Sequence, residues 1–244
     1  SMYEACEVTK LVDSIKGDIR NYRALSDVVK TYKPQFIFHL AAQPLVKESY
    51  EHPLETYETN VLGTVNLIES VRELDTETVV VNMTSDKCYE NTSSVSGYKE
   101  KDPMGGRDPY SSSKACAELI TRAYRESFFS PQAVSDSGTS LCSIRAGNII
   151  GGGDWAKYRL IHDCIRAFEN GERLLVRYPS AVRPWQHVLD VIYGLLLLAK
   201  RASEDKHQYC QAWNIGPDQE TNWSVEEVVK FIAQQWNGDT VWGL

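Results

Sequence analysis

Tyr110 and Lys114 stand four residues apart in "DPYSSSKACAEL" (Asp108–Leu119), a spacing that could form a proton-transfer pair. On a helix the two side chains share one face. A lysine ammonium beside a phenol favours the phenolate and lowers a pKa that is ordinarily about 10. A phenolate near neutral pH can take the proton of a sugar hydroxyl while hydride leaves the carbon that bears it. The spacing alone leaves a plainer reading open, in which both are side chains of an ordinary surface helix. Three further groups of polar or small residues each follow an apolar run: Ala41-Ala42-Gln43, Thr84-Ser85-Asp86-Lys87 and Arg145-Ala146-Gly147-Asn148.

Chemistry of this kind needs elements that bring the groups together. "FIFHLAA" (Phe36–Ala42), "TVVVNM" (Thr78–Met83), "SLCSIRAGNII" (Ser140–Ile150) and "AWNIG" (Ala212–Gly216) read as buried strands. Val61–Leu74 has helical spacing, with apolar residues at Val61, Val65 and Ile68 and again at Leu67, Val71 and Leu74. Asp108 reads as the N-cap, and Pro109 as the first residue, of a helix through "SSSKACAELITRAYRESF". Ser224 and Glu227 have capping-box spacing ahead of an amphipathic helix. "GLLLLA" from Gly194 reads as a buried helix, and "SFFSPQAVSDSGTS" as an exposed loop. Strands alternating with helices predict an α/β fold built on a doubly wound parallel sheet. In such sheets, ligands bind beyond the carboxyl ends of the strands, where the polar groups fall. From about Ile150 to Pro184 the rhythm is lost, which suggests a smaller lobe. The expected division is 1–150 with 185–218 for the sheet domain and 151–184 with 219–244 for the lobe.

Composition narrows the function classes. The chain has 244 residues, 42% hydrophobic and 24% charged, as in an ordinary globular protein. Its net charge of -7, with no long basic run, disfavours nucleic acid as a partner. No apolar stretch reaches the roughly 18 residues of a membrane span. Six scattered cysteines without a CxxC pair or a preceding secretory signal point to free thiols in a reducing, cytoplasmic setting. The five histidines show no metal-ligand spacing, so no metal is expected.

Several motifs add a family resemblance. Tyr110-x-x-x-Lys114 with serines between resembles the extended short-chain dehydrogenase/reductase superfamily, whose fold is Rossmann-like. "HLAAQ", "TSDKCY", "DPYSSSKACAE", "IRAGNIIGGGDW" and "RPWQHVLD" occur in that family's order, and their wording is most similar to the CDP-glucose 4,6-dehydratases. "SDK" marks a dehydratase rather than an epimerase, and "RPWQHV" is the most specific piece.

The resemblance implies a three-step reaction with NAD on a nucleotide sugar, CDP-glucose above others. Tyr110, aided by Lys114, deprotonates the C4 hydroxyl as hydride passes to NAD. Water is then eliminated across C5 and C6, and the hydride returns to C6. Asp86 would protonate the departing C6 hydroxyl, and Ser85 would bond the C4 hydroxyl. Lys87 occupies the place where related dehydratases carry Glu as the C5 base; it is either a neutral base or an electrostatic aid. Asp18 and Ile19 match the adenine-side contact. Leu40, Ala41, Ala42 and Gln43 would line the ribose and nicotinamide side, with Thr59 behind. Asn148, Arg159, Arg183 and His187 would meet the nucleotide sugar, the arginines through its pyrophosphate.

The family also leads one to expect a first strand, a glycine-rich turn and a helix, which cradle the NAD pyrophosphate. Nothing in Ser1–Arg20 supplies them, and Ser1-Met2 reads as an expression remnant. The expectation is a chain lacking its first βαβ unit and the close of its smaller lobe. Ile15–Ile19 would be the strand before the gap and Phe36–Leu40 the strand after it, about 10 Å apart. Either the two slide together, or the bare edge pairs with a second copy to give a homodimer. The rival readings are an epimerase or a dehydratase of other base specificity, and a non-catalytic nucleotide-sugar-binding remnant.

Overall fold

Four parallel strands carry the core of the computed structural model, which describes residues 2–92, 97–130, 138–218, 222–238 and 240–243. In chain order the strands are β1 (Phe36–His39), β2 (Val79–Met83), β3 (Ser140–Ala146), β4 (Asn148–Ile150), β5 (Leu174–Leu175), β6 (Val182–Arg183), β7 (Trp185–His187), β8 (Ala212–Ile215), β9 (Trp223–Ser224) and β10 (Trp242–Gly243). The helices are α1 (Met2–Ala5), α2 (Tyr22–Tyr32), α3 (Val46–Glu51), α4 (Pro53–Tyr57), α5 (Gly63–Arg72), α6 (Pro109–Phe128), α7 (Leu160–Glu169), α8 (Val188–Glu204), α9 (Lys206–Tyr209) and α10 (Val225–Gln235). The chain forms two units, Ile15–Ala146 with Ile192–Ile215, and Ser1–Ser14 with Gly147–Val191 and Gly216–Leu244.

The first unit holds the parallel sheet in the order β1-β2-β3-β8. Its β-branched centre packs under helices. Val80 and Leu141 from the sheet meet Val29 of α2, Leu67, Ile68 and Val71 of α5, and Ile120 and Tyr124 of α6. On α8, Gly194 lies so close to Ile215 of β8 that a Cβ there would meet its Cδ1 at 2.6 Å. Ser140 Oγ ties the start of β3 to the same helix through the Ala202 carbonyl, at 3.1 Å.

Three expectations need correction in this unit. Ile15–Ile19 forms no strand. Gly17 and Asp18 are poor strand residues, and the segment docks on α5 instead. Ile19 packs over Gly63, and Asn66 Nδ2 donates to the Ile19 and Arg20 carbonyls at 3.0 and 3.1 Å. β1 therefore does not heal against a neighbour on that side. It stands at the sheet edge with Phe36 44% exposed, so the run read as a buried strand is a half-covered one. The "GLLLLA" helix forms as α8, but only one side is covered: Leu195, Leu198 and Ala199 are buried, while Leu196 and Leu197 are exposed.

The second unit builds its core from α7 and α10, where Cys164, Ala167 and Phe168 pack on Val229, with Trp236 beside them. The Ser224–Glu227 capping box forms as the spacing predicts, each residue's side chain bonded to the other's backbone N–H. Short strand pairs, β4 with β7, β6 with β9 and β5 with β10, complete it. The long apolar run from Ser140 splits into β3 and β4 at Gly147. Of the expected loop "SFFSPQAVSDSGTS", residues 131–137 lie outside the described residues. Among the described residues, no helix is long and apolar enough to cross a membrane.

Candidate active site

α6 starts as its sequence dictates. The Asp108 carboxylate caps it, accepting from Ser111 N at 2.9 Å and from Ser111 Oγ at 2.6 Å, and Pro109 needs no partner for a missing N–H. Tyr110 therefore sits in the first turn, where the helix dipole is positive, and is 8% exposed. Its N–H donates to Ser49 Oγ at 3.1 Å. Lys114 follows one turn later, 6% exposed, and Nζ reaches the Met83 carbonyl at the end of β2 at 3.4 Å. Burial lowers the Lys114 pKa to about 8, against a raising pull from Glu118. His39, at the end of β1, is pushed down to about 4 by burial and by the Lys114 charge. It is thus neutral near pH 7, with Nε2 3.1 Å from Thr64 Oγ1.

Beyond β2, Ser85 caps a single 3-10 turn over Asp86–Cys88. Its Oγ accepts from Lys87 N at 3.2 Å and donates to Asp86 Oδ1 at 3.1 Å, while Lys87 Nζ lies 3.6 Å from the same carboxylate oxygen. Ser85 is buried, and Asp86 and Lys87 are half-buried. One turn thus presents a hydroxyl, a carboxyl and an amine.

Beyond β1, Leu40 and Ala41 are exposed and Ala42 is half-buried. Gln43 has its side chain committed to its own loop and to α4, bonded to the Leu45 backbone and to Thr56 Oγ1. Asn60 joins this loop to α6. Its Oδ1 accepts from Gln43 N at 2.8 Å, and its Nδ2 donates to the Gln43 carbonyl at 3.1 Å and to Ser113 Oγ at 2.9 Å. Thr59 is its half-buried neighbour on a π-turn, Glu58–Leu62. Asp18 is held by Arg20, whose guanidinium bonds both carboxylate oxygens and lowers the Asp18 pKa to about 2. Arg20 also lies 3.6 Å from Glu58. The first unit thus gathers Ser85, Asp86, Lys87, Tyr110 and Lys114 with the Leu40–Gln43 loop at the carboxyl ends of β1 and β2.

Asn148, Arg159, Arg183 and His187 belong to the second unit. Asn148 opens β4, and its buried Oδ1 has no hydrogen-bond partner among the described residues. Arg159 precedes α7 with Nε 3.4 Å from Asp154. Arg183 is exposed on β6, and Nη1 donates to the Val182 carbonyl at 2.9 Å. His187 ends β7, and its Nδ1 accepts from Leu189 N at 3.2 Å.

Sequence reasoning passes over two buried residues of the first unit, Asn60 and Glu118, and names Arg145 only as part of a polar strand end. Glu118 has a legible signal, since it extends the Tyr110–Lys114 spacing by one more turn. Asn60 has none, because a lone Asn in "YETNVLG" looks like a helix surface. His52 meets Glu48 and Glu51 with ligand-type atoms within 4.8 Å, a grouping that histidine spacing alone does not suggest; the side chains are largely exposed.

The family model described as "GDP-mannose 4,6 dehydratase" matches residues 2–241. A CDP-glucose 4,6-dehydratase of Salmonella typhimurium is 48% identical over 242 residues, covering 99% of this chain and 67% of that protein. The chain thus spans about two thirds of that relative's length. Among solved structures, MoeE5 in complex with UDP-glucose and NAD superposes with a TM-score of 0.77 at 28% identity, over 94% of this chain and 71% of that one. The dTDP-glucose 4,6-dehydratase DesIV from Streptomyces venezuelae, solved with NAD bound, shares the fold with a TM-score of 0.74 at 23% identity, over 93% of this chain and 66% of that one.

Proposed function

The chain belongs to the family described as GDP-mannose 4,6 dehydratase, and from that premise we propose that it carries the catalytic machinery of a nucleotide-sugar 4,6-dehydratase acting on CDP-glucose with NAD. The observation that supports this most is the buried Tyr110–Lys114 pair on α6, bonded through Lys114 to the end of the strand that presents Ser85, Asp86 and Lys87.

The residues present fit the reacting end of NAD. Leu40, Ala41 and Ala42 leave the end of β1 open to a ligand, and the Gln43 side chain is folded back into its loop. Bound there, NAD would supply the redox chemistry, as a reversible acceptor of hydride.

Tyr110 removes the C4 hydroxyl proton, with the Lys114 ammonium stabilising the phenolate. Ser85 holds the C4 oxygen. The C4 ketone acidifies the C5 proton. Lys87 takes that proton as a neutral amine or aids its loss electrostatically, and Asp86 protonates the departing C6 hydroxyl. The pair shares one turn, with Lys87 Nζ 3.6 Å from Asp86 Oδ1. In the second unit, the Asn148 amide oxygen, buried without a partner among the described residues, and the arginines Arg159 and Arg183 suit the nucleotide and its pyrophosphate. Free cysteines throughout support a cytoplasmic setting. The family's usual context, cell-surface polysaccharide synthesis, and a homodimer complete the reading.

The test incubates the purified protein with CDP-glucose and millimolar NAD and follows the sugar by proton NMR. The expected product is a 4-keto-6-deoxy sugar with a new C6 methyl signal. A C4 epimer that retains its C6 hydroxyl would make the protein an epimerase. Product from UDP- or dTDP-glucose alone would correct the base, and no product from any of them would refute the reading. Sedimentation equilibrium tests the dimer separately.

A further inference from the structure

Tyr110, Lys114 and Glu118 recur every fourth residue of α6, lie along one face, and are all buried. The proposed reaction uses the first two. The Glu118 carboxylate is engaged from the end of β2 and from β3. Oε1 accepts from Thr84 Oγ1 at 2.5 Å, and Oε2 accepts from Ser143 Oγ at 3.0 Å and from Arg145 Nη2 at 2.6 Å. Arg145 is fixed in turn: Nη1 donates to Tyr89 Oη at 2.8 Å and to the Glu100 carbonyl at 2.9 Å, and its guanidinium lies 5.0 Å from the Tyr89 ring centre. Thr84 immediately precedes Ser85, and its N–H donates to the Ile144 carbonyl at 2.8 Å. The strand end that leads into Ser85 is therefore pinned to β3 by its backbone and to α6 by its side chain.

An ion pair at this depth is weak evidence for a stabilising role, because apolar side chains of the same volume often do as well. Its location on the Tyr110–Lys114 face points to another use. We propose that Glu118 is a positioning residue of this site: its carboxylate fixes the strand end bearing Ser85 against the helix bearing Tyr110 and Lys114, and it supplies the counter-charge that keeps Lys114 an ammonium. This rests on the reading of Tyr110 and Lys114 given above.

The surroundings of Lys114 agree. On its own helix stand Tyr110 and Glu118. On the turn after β2 stands Cys88, pushed up to about 12 by burial and so a neutral thiol near pH 7. At the end of β1 stands neutral His39. On β3, Arg145 is a cation already paired with Glu118. Glu118 is thus the anion that acts on Lys114 among these groups.

Two readouts separate this from a merely structural ion pair. The first needs no substrate: the Lys114 titration is followed by NMR of protein labelled at lysine Cε, with the signal assigned by its loss in Lys114→Met. In Glu118→Gln the midpoint should fall by about 1 pH unit or more. The second is the pH profile of kcat at saturating NAD and nucleotide sugar. A weaker Lys114 charge moves the alkaline limb down and, by making Tyr110 harder to ionise, moves the acidic limb up. The active window should narrow from both sides, with KM nearly unchanged. Glu118→Asp, which keeps the charge but withdraws it from Thr84, should keep the Lys114 midpoint and lose kcat.

An unchanged Lys114 midpoint in Glu118→Gln overturns the proposal whether or not the protein is active. If the wild type makes no keto sugar, the dehydratase reading fails while the NMR result still decides the counter-charge. Should Glu118→Gln not fold, the Lys114 midpoint of Glu118→Gln with Arg145→Met is compared with that of Arg145→Met alone, which isolates the carboxylate; no fall there overturns it equally.

Discussion

Lys114 is the residue where stability and the proposed chemistry pull apart. Its folded pKa of about 8 lies below the ordinary 10.5 because the ammonium is buried. The folded state therefore binds that proton more weakly than the unfolded chain. The cost is complete below pH 8 and vanishes as pH rises from 8 to 10.5, so this group's contribution to stability increases across that interval. At neutral pH the cost is on the order of 3 kcal/mol. Lys114→Met is accordingly expected to raise the urea midpoint while abolishing product formation; a lowered midpoint would mean that the ammonium stabilises the fold. Lys87 calls for a different measurement, because it is assigned to the second step. In Lys87→Met, C4 oxidation should persist, seen as a transient rise in NADH absorbance. Elimination should slow about 10²-fold or more, as for loss of a general base. Equal loss of both steps would move Lys87 out of the C5 role.

At the scale of elements, the start of α6 decides whether Tyr110 is presented at all. Gly106, two residues before the cap, has a φ of 132°, which side-chain-bearing residues rarely adopt. A Cβ there would meet backbone of α6, including the Ser111 carbonyl carbon at 2.6 Å. Gly106→Ala should therefore cost about 2 kcal/mol or more and lower kcat by displacing the first turn. Asp108→Ala, which removes only the cap, should cost about 1 kcal/mol. Thermal melts of the two variants check the ranking; equal melting would mean that the Gly106 loop relaxes freely. These positions also show what a reader of the sequence can see. The Asp108 cap, Pro109, the β-branched β2 and the Ser224–Glu227 box act through neighbours in the chain, and all are legible there. The path of Ile15–Ile19 is not, because it depends on Asn66 and Gly63, more than forty residues away. Nor is the bridge of Asn60 to Gln43 and Ser113, since a single polar side chain carries no periodicity. The pieces of β4 to β7 are too short to alternate, so that stretch reads only as irregular.

For the molecule as a whole, the open question is how a chain of net charge -7 would hold an anionic dinucleotide. Local structure has to overcome that field. The usual solution is a glycine-rich turn feeding a helix N-terminus, where backbone N–H groups meet the pyrophosphate. Among the described residues, the helix that follows β1 does not offer such a turn: "LAAQPLV" holds a proline and no glycine, and Gln43 and Asn60 already occupy each other. The stretch before α2 holds Gly17 alone, and its anionic Asp18 is paired with Arg20. The residues of the reacting end can orient a nicotinamide, but a weakly gripped pyrophosphate leaves most of the cofactor's binding energy unused. Calorimetry of NAD with this 244-residue chain is therefore expected to give a dissociation constant near the millimolar range, worth about 4 kcal/mol. Tyr110→Phe should hardly alter it, because the phenol acts on the sugar hydroxyl and not on the pyrophosphate. A micromolar isotherm would mean that this sequence builds a pyrophosphate cradle without the glycine-rich turn. The next measurement would then be the same titration on Arg20→Ala and Arg159→Ala, one cationic candidate from each unit, and the variant that loses the heat would locate the cradle.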